Sequence, residues 1–388
     1  MLTMGKKEST LPIGISYREN KNLYMWRFKH EGVTYCGYTK TLADAKKELR
    51  NKRYEVEHGT YHKEKAITLD TWFTQWIEVY KVPVCKESTL DYYLQVYKRY
   101  ISPVFGKKKI KDIKPEQIQK FVNGMAKAYS EATASTCNFL LYDCLRQAAA
   151  NESIVKNPMA NTTVPKFKKP EKKGALPQKQ VTDFLEYTQM INCSYYSVFR
   201  TLTLSGLRIG ECLGLSWDDV DFDNEELHVR HTLVNLPKKG FYLDRPKSDA
   251  GLRDIPMKQG GELYNLLKKR RIEQFEQRTK AENIWQPMAG LENLVFTTKI
   301  GTPHHATNIR KMMKAIIKEM QGKGYDIPKF TPHTFRHSFA TRCLENGMNP
   351  KTLQVILGHS TFSVTMDLYV DVMKDTCREE MAMVASAL

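Results

Sequence analysis

The sequence predicts a mixed α+β protein, mainly helical: a small three-stranded sheet-plus-helix module, a helical bundle, and a larger helical domain interrupted by a small antiparallel β-sheet. Three observations carry this. Apolar residues alternate over residues 12–38, with Asn20, Asn22 and Gly32 at the breaks. From Ile67 onward they recur at helical spacing. A lysine- and proline-rich run then separates two long periodic stretches, and 388 residues exceed what one compact core organises.

In chain order, IGISYREN, NLYMWRFKHEG and VTYCGYT read as three antiparallel strands. Leu42 to Glu57, dense in Ala, Leu, Lys, Arg and Glu, reads as a helix covering one face of them. Within the second strand Tyr24, Trp26 and Phe28 alternate with Met25, Arg27 and Lys29, so one face covers the helix and the other stays exposed. This module is expected over residues 1–66. A ribbon of this size fits a major groove, and Arg18, Arg27 and Lys29 are its expected DNA contacts; a small folding cap is the alternative.

A helical domain is expected over 67–163. Thr68 or Asp70 starts a segment in which Leu69, Trp72, Phe73, Trp76, Ile77 and Tyr80 share a helix face, and Ser88, Pro115 and Ser130 open further amphipathic stretches. The bundle of four or five helices ends near Asn157-Pro158. Residues 164–177, VPKFKKPEKKGALP, hold three prolines, one glycine and five lysines without hydrophobic period, which is linker composition. Lys166, Lys168 and Lys169 in this run are expected to lie along phosphates. The remainder, 178–388, reads as helical with one β interruption, in which HVRHTLV, FYLDRPK and LRDIPM are strands joined by turns at Lys238–Gly240 and Ser248–Gly251.

Sixty Lys and Arg against 43 Asp and Glu give a formal net charge of +17, which favours a polyanionic partner, nucleic acid first. The eight cysteines are scattered, with no C-x-x-C pair or finger spacing, and read as reduced intracellular thiols. The polar start, carrying Lys6 and Lys7, has neither a signal-peptide nor an anchor pattern, so a cytoplasmic, nucleoid-associated protein with no membrane partner is expected.

Four C-terminal segments bear reactive side chains where helices start or end. In LSGLRIGECLGL, Gly206 breaks one helix and Arg208 lies in the opening turn of the next, where its fork can take a phosphate. Glu211, a turn later, either orients that arginine or is a solvated carboxylate. In FTPHTFRHSFAT, Thr331 caps a helix, Pro332 takes its first position, and His333 and Arg336 lie three apart on one face. A zinc site at His333 and His337 is not expected, because the general-base glutamate is missing and Arg336 repels a cation. NPKTLQVILGHS reads as a helix capped by Asn349, opened by Pro350 and closed by Gly358, which leaves His359 just past its end. Tyr369 follows ten residues later on a short helix started by Thr361 or Ser363.

The order Arg208, Lys247, His333-x-x-Arg336, His359, Tyr369 resembles the tyrosine recombinase (phage integrase) family, whose pattern is Arg, a β-hairpin Lys, His-x-x-Arg, His or Trp, then Tyr. The resemblance spans about residues 67–388, and the sheet-plus-helix start is similar to integrases of conjugative transposons and temperate phages. It implies a site-specific DNA recombinase in which Tyr369 attacks the scissile phosphate to form a 3′-phosphotyrosyl linkage. A free phenol titrates near 10, so a positive pocket must favour the phenolate. By resemblance, Arg208 and Arg336 hold the non-bridging oxygens, Lys247 protonates the leaving 5′ oxygen, His333 transfers a proton at the tyrosine and His359 donates to the phosphate. Since lysine and arginines replace metal ions, neither cofactor nor metal is implied.

The resemblance further implies double-stranded DNA at element ends and target as partner, and a homo-tetramer on two duplexes. An excisionase or a host DNA-bending protein is a candidate accessory partner. In the tail, Met373, Cys377, Met381, Val384 and Leu388 form one helical stripe, expected to dock on a neighbouring protomer, with packing on its own domain as the alternative. Two rival functions share the features: a non-catalytic DNA-binding regulator and a type IB topoisomerase.

Overall fold

The computed structural model describes residues 11–58, 67–167, 174–246, 248–363, 365–366 and 369–370. The chain separates into two compact units, residues 1–169 and 170–388, with the division inside the lysine-rich run.

In the first unit, β1 (Ile15–Arg18), β2 (Leu23–His30) and β3 (Val33–Thr39) form an antiparallel sheet in sequence order. Helix α1 (Leu42–Glu57), capped by the Thr41 side chain accepting from the Asp44 N–H, lies on one face. Period-2 alternation puts Trp26 and Phe28 under α1 with Ala45 and Leu49. The Trp26 indole donates to Glu48 at 2.7 Å. Gly37 lies opposite it in register, and a Cβ there would stand 2.5 Å from the indole ring, so only glycine lets β3 pass. Arg18, Arg27 and Lys29 are exposed on the opposite face.

Four α-helices follow: α2 (Leu69–Trp76), α3 (Glu87–Val96), α4 (Pro115–Ala128) and α5 (Glu131–Ala150). Thr68 and Ser130 cap α2 and α5 through their side chains. Helix α3 opens at Glu87 rather than Ser88, with Lys86 preceding it. Helices α2 and α3 continue as π-helical turns, Ile77–Lys81 and Tyr97–Gly106, the second around Pro103. Their apolar residues close one core with Trp72, Trp76, Ile101, Phe105, Leu140 and Leu145, and the Trp72 indole donates to the Cys144 carbonyl at 2.9 Å. Phe167, from the lysine-rich run, packs against this core.

The second unit contains α6 (Gln178–Met190), α7 (Tyr196–Ser205), α8 (Ile209–Leu213), α9 (Glu262–Ala281), α10 (Ala306–Gly322), α11 (Pro332–Glu345) and α12 (Pro350–Leu357). Its β interruption differs from the sequence reading. The stretch HVRHTLV is two strands, not one: β4 (Val220–Asp221), β5 (Glu226–Val229) and β8 (Arg253–Pro256) make one sheet, whereas β6 (Thr232–Leu236) and β7 (Gly240–Asp244) pair separately. The change of sheet falls at Arg230-His231. There the Arg230 guanidinium reaches back to the Arg253 carbonyl and the Asp254 carboxylate, holding the end of β5 to β8 while the chain turns to meet β7. The strand read as FYLDRPK ends at Asp244, and the Ser248–Gly251 turn is present as a short 3-10 turn over Asp249–Gly251. Phe184, Phe199, Leu202, Leu227, Phe296 and Phe335 lie at the centre of the core.

Lys168, Lys169, Lys247 and the tail stripe Met373, Cys377, Met381, Val384 and Leu388 lie outside the described residues. Among the described residues, no helix is long and apolar enough to cross a membrane.

Candidate active site

A cleft of about 660 Å³ in the second unit is lined by Arg208, Glu211, His333, Arg336, His337 and His359, together with Thr232, Ser248 and Gly251. These residues come from α8, β6, α11, the end of α12 and the turn before β8, so the site exists only where five segments converge.

Each side chain is placed by a local rule. Helix α7 ends on Gly206 in the left-handed region, φ 64°, where an added Cβ would stand 2.5 Å from the Phe339 ring. This sharp stop puts Arg208 at the N-cap of α8. Glu211 then accepts from the Arg208 backbone N–H at 3.0 Å and from its guanidinium at 2.6 Å. The side chain of Arg208 remains 42% exposed whereas that of Glu211 is 2% exposed, so Glu211 is the arginine's buried anchor and not a solvated carboxylate. Burial alone would raise the Glu211 carboxyl; the Arg253 and Arg208 guanidinia outweigh it and hold the group below its ordinary value.

Helix α11 starts as expected, with Thr331 at the N-cap and Pro332 next. It presents His333, Arg336 and His337 to the cleft. Arg336 is 3% exposed and donates to the carbonyls of Gly206 and Leu357, both at helix ends. Burial first, then the nearby Arg208 charge, lower its pKa from the ordinary value. Two guanidinia thus face one space against a single carboxylate that is already shared with Arg253. Paired guanidinia of this kind have the charge and donor geometry suited to an oxyanion such as phosphate.

Helix α12 is capped by Asn349, whose side chain accepts from Lys351 N–H, and ends at Gly358 with φ 64°. At Gly358 a Cβ would stand 2.5 Å from the Ala250 carbonyl. The turn delivers His359 to the cleft rim with Nδ1 2.9 Å from Oγ1 of the fully buried Thr365. Burial and the Arg336 and Arg208 charges push the His359 imidazole down to about 4, so it is neutral at pH 7. Burial and His337 likewise lower His333, whose ring meets that of His337 edge-on at 4.7 Å.

The structure therefore brings together five of the residues singled out in the sequence: Arg208, Glu211, His333, Arg336 and His359. Tyr369 is not among the described residues lining the cleft. Its half-buried ring packs against the apolar cluster of Ala340, Leu344, Leu353 and Leu357, of which Ala340 and Leu357 also line the cleft. Sequence reasoning passed over Arg253 and Thr365. A signal existed for the first: Arg253 alternates with Ile255 and Met257, on the buried face of its strand.

Metal-like spacing occurs among the described residues at Glu226, His228 and Asp254, whose ligand atoms lie within 4.8 Å of one another. Arg230 already donates to Asp254 there, so this is an ion-pair cluster rather than a cation site. Arg336 stands between His333 and His337 in the chain, and its charge acts on both rings against a cation.

Comparisons with known proteins agree with this arrangement. The Phage integrase family profile matches residues 175–375, and the phage integrase N-terminal SAM-like domain matches residues 68–126. The chain is 25% identical over 377 residues to the transposase of transposon Tn916 from Enterococcus faecalis, covering 94% of this chain and 89% of the relative. It is 29% identical over 388 residues to a tyrosine recombinase XerC-like protein of Caldanaerobacter subterraneus subsp. tengcongensis, covering 95% and 93%. A solved structure of the Tn1549 transposon integrase, in complex with transposon right-end DNA, superposes with a TM-score of 0.68 at 28% identity, covering 82% of this chain and 100% of that one. With its family profile spanning the whole cleft and its relatives matched over nearly full length, the chain belongs to the phage integrase family and is an integrase-type tyrosine recombinase.

Proposed function

We propose that this chain cleaves and rejoins DNA at specific sites through a covalent bond to Tyr369, and thereby integrates and excises a mobile element. The observation that carries the proposal is the convergence of Arg208, Arg336, His333 and His359 on the lining of one cleft. In the proposed step the Tyr369 oxygen attacks the scissile phosphorus and the bond to the 5′ oxygen breaks. His333 takes the phenolic proton and Lys247 gives one to the leaving 5′-hydroxyl. The 3′-phosphotyrosyl link conserves the phosphodiester for rejoining, so the reaction consumes no ATP. The Tyr369 ring packs against the α11–α12 cluster, of which Ala340 and Leu357 also line the cleft. Trapping tests this: incubation with nicked duplexes from the element ends should give a denaturant-resistant protein–DNA band, and tight binding without any band favours the regulator reading.

Thr365 contributes through His359. We propose that in the His359 Nδ1–Thr365 Oγ1 contact of 2.9 Å the hydroxyl is the donor, which leaves the proton of the neutral ring on Nε2, the tautomer able to donate to a phosphate oxygen. Thr365→Val should slow cleavage about tenfold, taking as a scale the low end of the loss when the partner orienting a metal-bound histidine is removed, and Thr365→Ser should recover it. Equal rates in Thr365→Val and the unsubstituted chain would remove this role.

We further propose the division 1–66, 67–163, 164–177 and 178–388 as accessory-site module, core-binding domain, basic linker and catalytic domain. The support for the first is the exposed Arg18, Arg27 and Lys29 on the sheet face away from α1. In footprinting of the full chain on the element ends, Arg27→Ala with Lys29→Ala should erase protection at accessory sites while leaving the core sites protected; unchanged protection would return this module to a folding cap. The Tn1549 integrase structures contain transposon-end and circular-intermediate DNA, and we extend double-stranded DNA as partner to this chain on that basis. Lys166, Lys168 and Lys169 are proposed to follow the phosphates of that duplex. We propose a tetramer held by exchange of the tail stripe. Deleting residues 374–388 should abolish strand exchange and tetramer assembly yet leave single-site binding intact, and a truncated chain that still assembles would show the tail packs on its own domain.

A further inference from the structure

We infer that Arg253 is a positioning residue for DNA cleavage: one buried guanidinium that sets the mutual geometry of Arg208, the turn after Lys247 and the helix end before His359. The inference rests on the recombinase reading above. Arg253 sits at the start of β8 with its side chain 2% exposed, and it makes a bond to each of three separate segments. Its Nη2 donates to Glu211 Oε2 at 2.9 Å, and the other Glu211 oxygen accepts from Arg208 Nη1 at 2.6 Å. Its Nη1 donates to the Gly251 carbonyl at 3.1 Å, in the turn that follows Lys247 in the chain. Its Nε donates to the Ile356 carbonyl in the last turn of α12, three residues before His359.

The packing shows how little freedom this leaves. A Cβ on Gly358 would stand 3.1 Å from Arg253 Cδ and 3.2 Å from its Nη1, so the backbone that turns towards His359 rests on the Arg253 stem. Glu211 holds Arg208 through both oxygens while its Oε2 also accepts from Arg253, and Glu211 and Arg253 both lie out of water, so the anchor of Arg208 is itself fixed by Arg253. A planar fork with donors in fixed directions serves all three segments at once, which an ammonium on a flexible stem cannot do. Arg253 is not among the described residues lining the cleft, so its effect on the reaction passes through the groups it holds.

The test is single-turnover cleavage of a nicked element-end duplex by the full chain, with DNA affinity measured alongside. Arg253→Met should lower the cleavage rate at saturating DNA about 100-fold, the scale of a misplacement near 1 Å, while the DNA Kd stays within about twofold. Arg253→Lys keeps the charge beside Glu211 but not the fork, and should fall in between, about tenfold slow. Adding Glu211→Gln to Arg253→Lys should slow cleavage by less than about twofold beyond the slower single variant, because both act through one chain of contacts. If Arg253→Met does not fold, Arg253→Lys with its double variant decides. The inference is overturned if folded Arg253→Lys cleaves within about twofold of the parent, if lost rate is matched by lost affinity, or if the two single effects multiply. Absence of any adduct with the unsubstituted chain would instead overturn the recombinase reading on which the inference stands.

Discussion

Tyr369→Phe should bind nicked element-end duplexes as tightly as the unsubstituted chain and yield no denaturant-resistant adduct. The substitution removes one oxygen, the only atom of this side chain able to form a phosphodiester link, so with Tyr369 as the proposed nucleophile the expected loss of adduct is total within detection, at least roughly 10³-fold. The apolar part of the ring is kept, and it is this part that packs beside Ala340, Leu344, Leu353 and Leu357. Unfolding should therefore shift by no more than about 2 °C. An adduct that persists would mean another residue is the nucleophile. An adduct lost together with DNA binding would mean the ring seats the segment rather than attacks.

Arg336→Ala should slow single-turnover cleavage by about 10²–10³-fold, roughly 3–4 kcal/mol of transition-state stabilisation, the scale of a deleted oxyanion donor. Arg336→Lys should recover little of this, because a point charge cannot hold two non-bridging oxygens and two helix-end carbonyls together. The alanine variant also leaves the Gly206 and Leu357 carbonyls without their donor, at about 1–3 kcal/mol each if water does not reach them. Arg208→Ala separates the two effects. It should lose a similar factor in rate, but its side chain is 42% exposed and Glu211 keeps Arg253, so its stability cost should be small. Rates within about tenfold of the parent in both variants would leave the cleft without its proposed function.

Much of this site was legible because its local devices are written in short range. Gly206, the Thr331-Pro332 start, and the Asn349-Pro350 to Gly358 helix all stand where capping rules place them, and each sets one reactive side chain at an element boundary. The β region was read less well. HVRHTLV alternates evenly, so period 2 could not show that it serves two sheets; the Arg230 contacts to β8 impose that break, and they span more than twenty residues. Likewise Glu211 had two open readings until burial chose between them.

By itself the sequence determined the family pattern of reactive residues, the helical and β modules and the basic charge, because these depend on residue order, periodicity and composition. Tertiary structure alone decided that Arg208, His333, Arg336 and His359 share one cleft, that Glu211 is held by a second arginine, and that Tyr369 rests on the apolar cluster beside the cleft. The reason is range: capping and periodicity act within a few residues, whereas the Glu211–Arg253 pair spans 42 residues and the Arg336–Gly206 bond spans 130, distances along the chain that only packing can close.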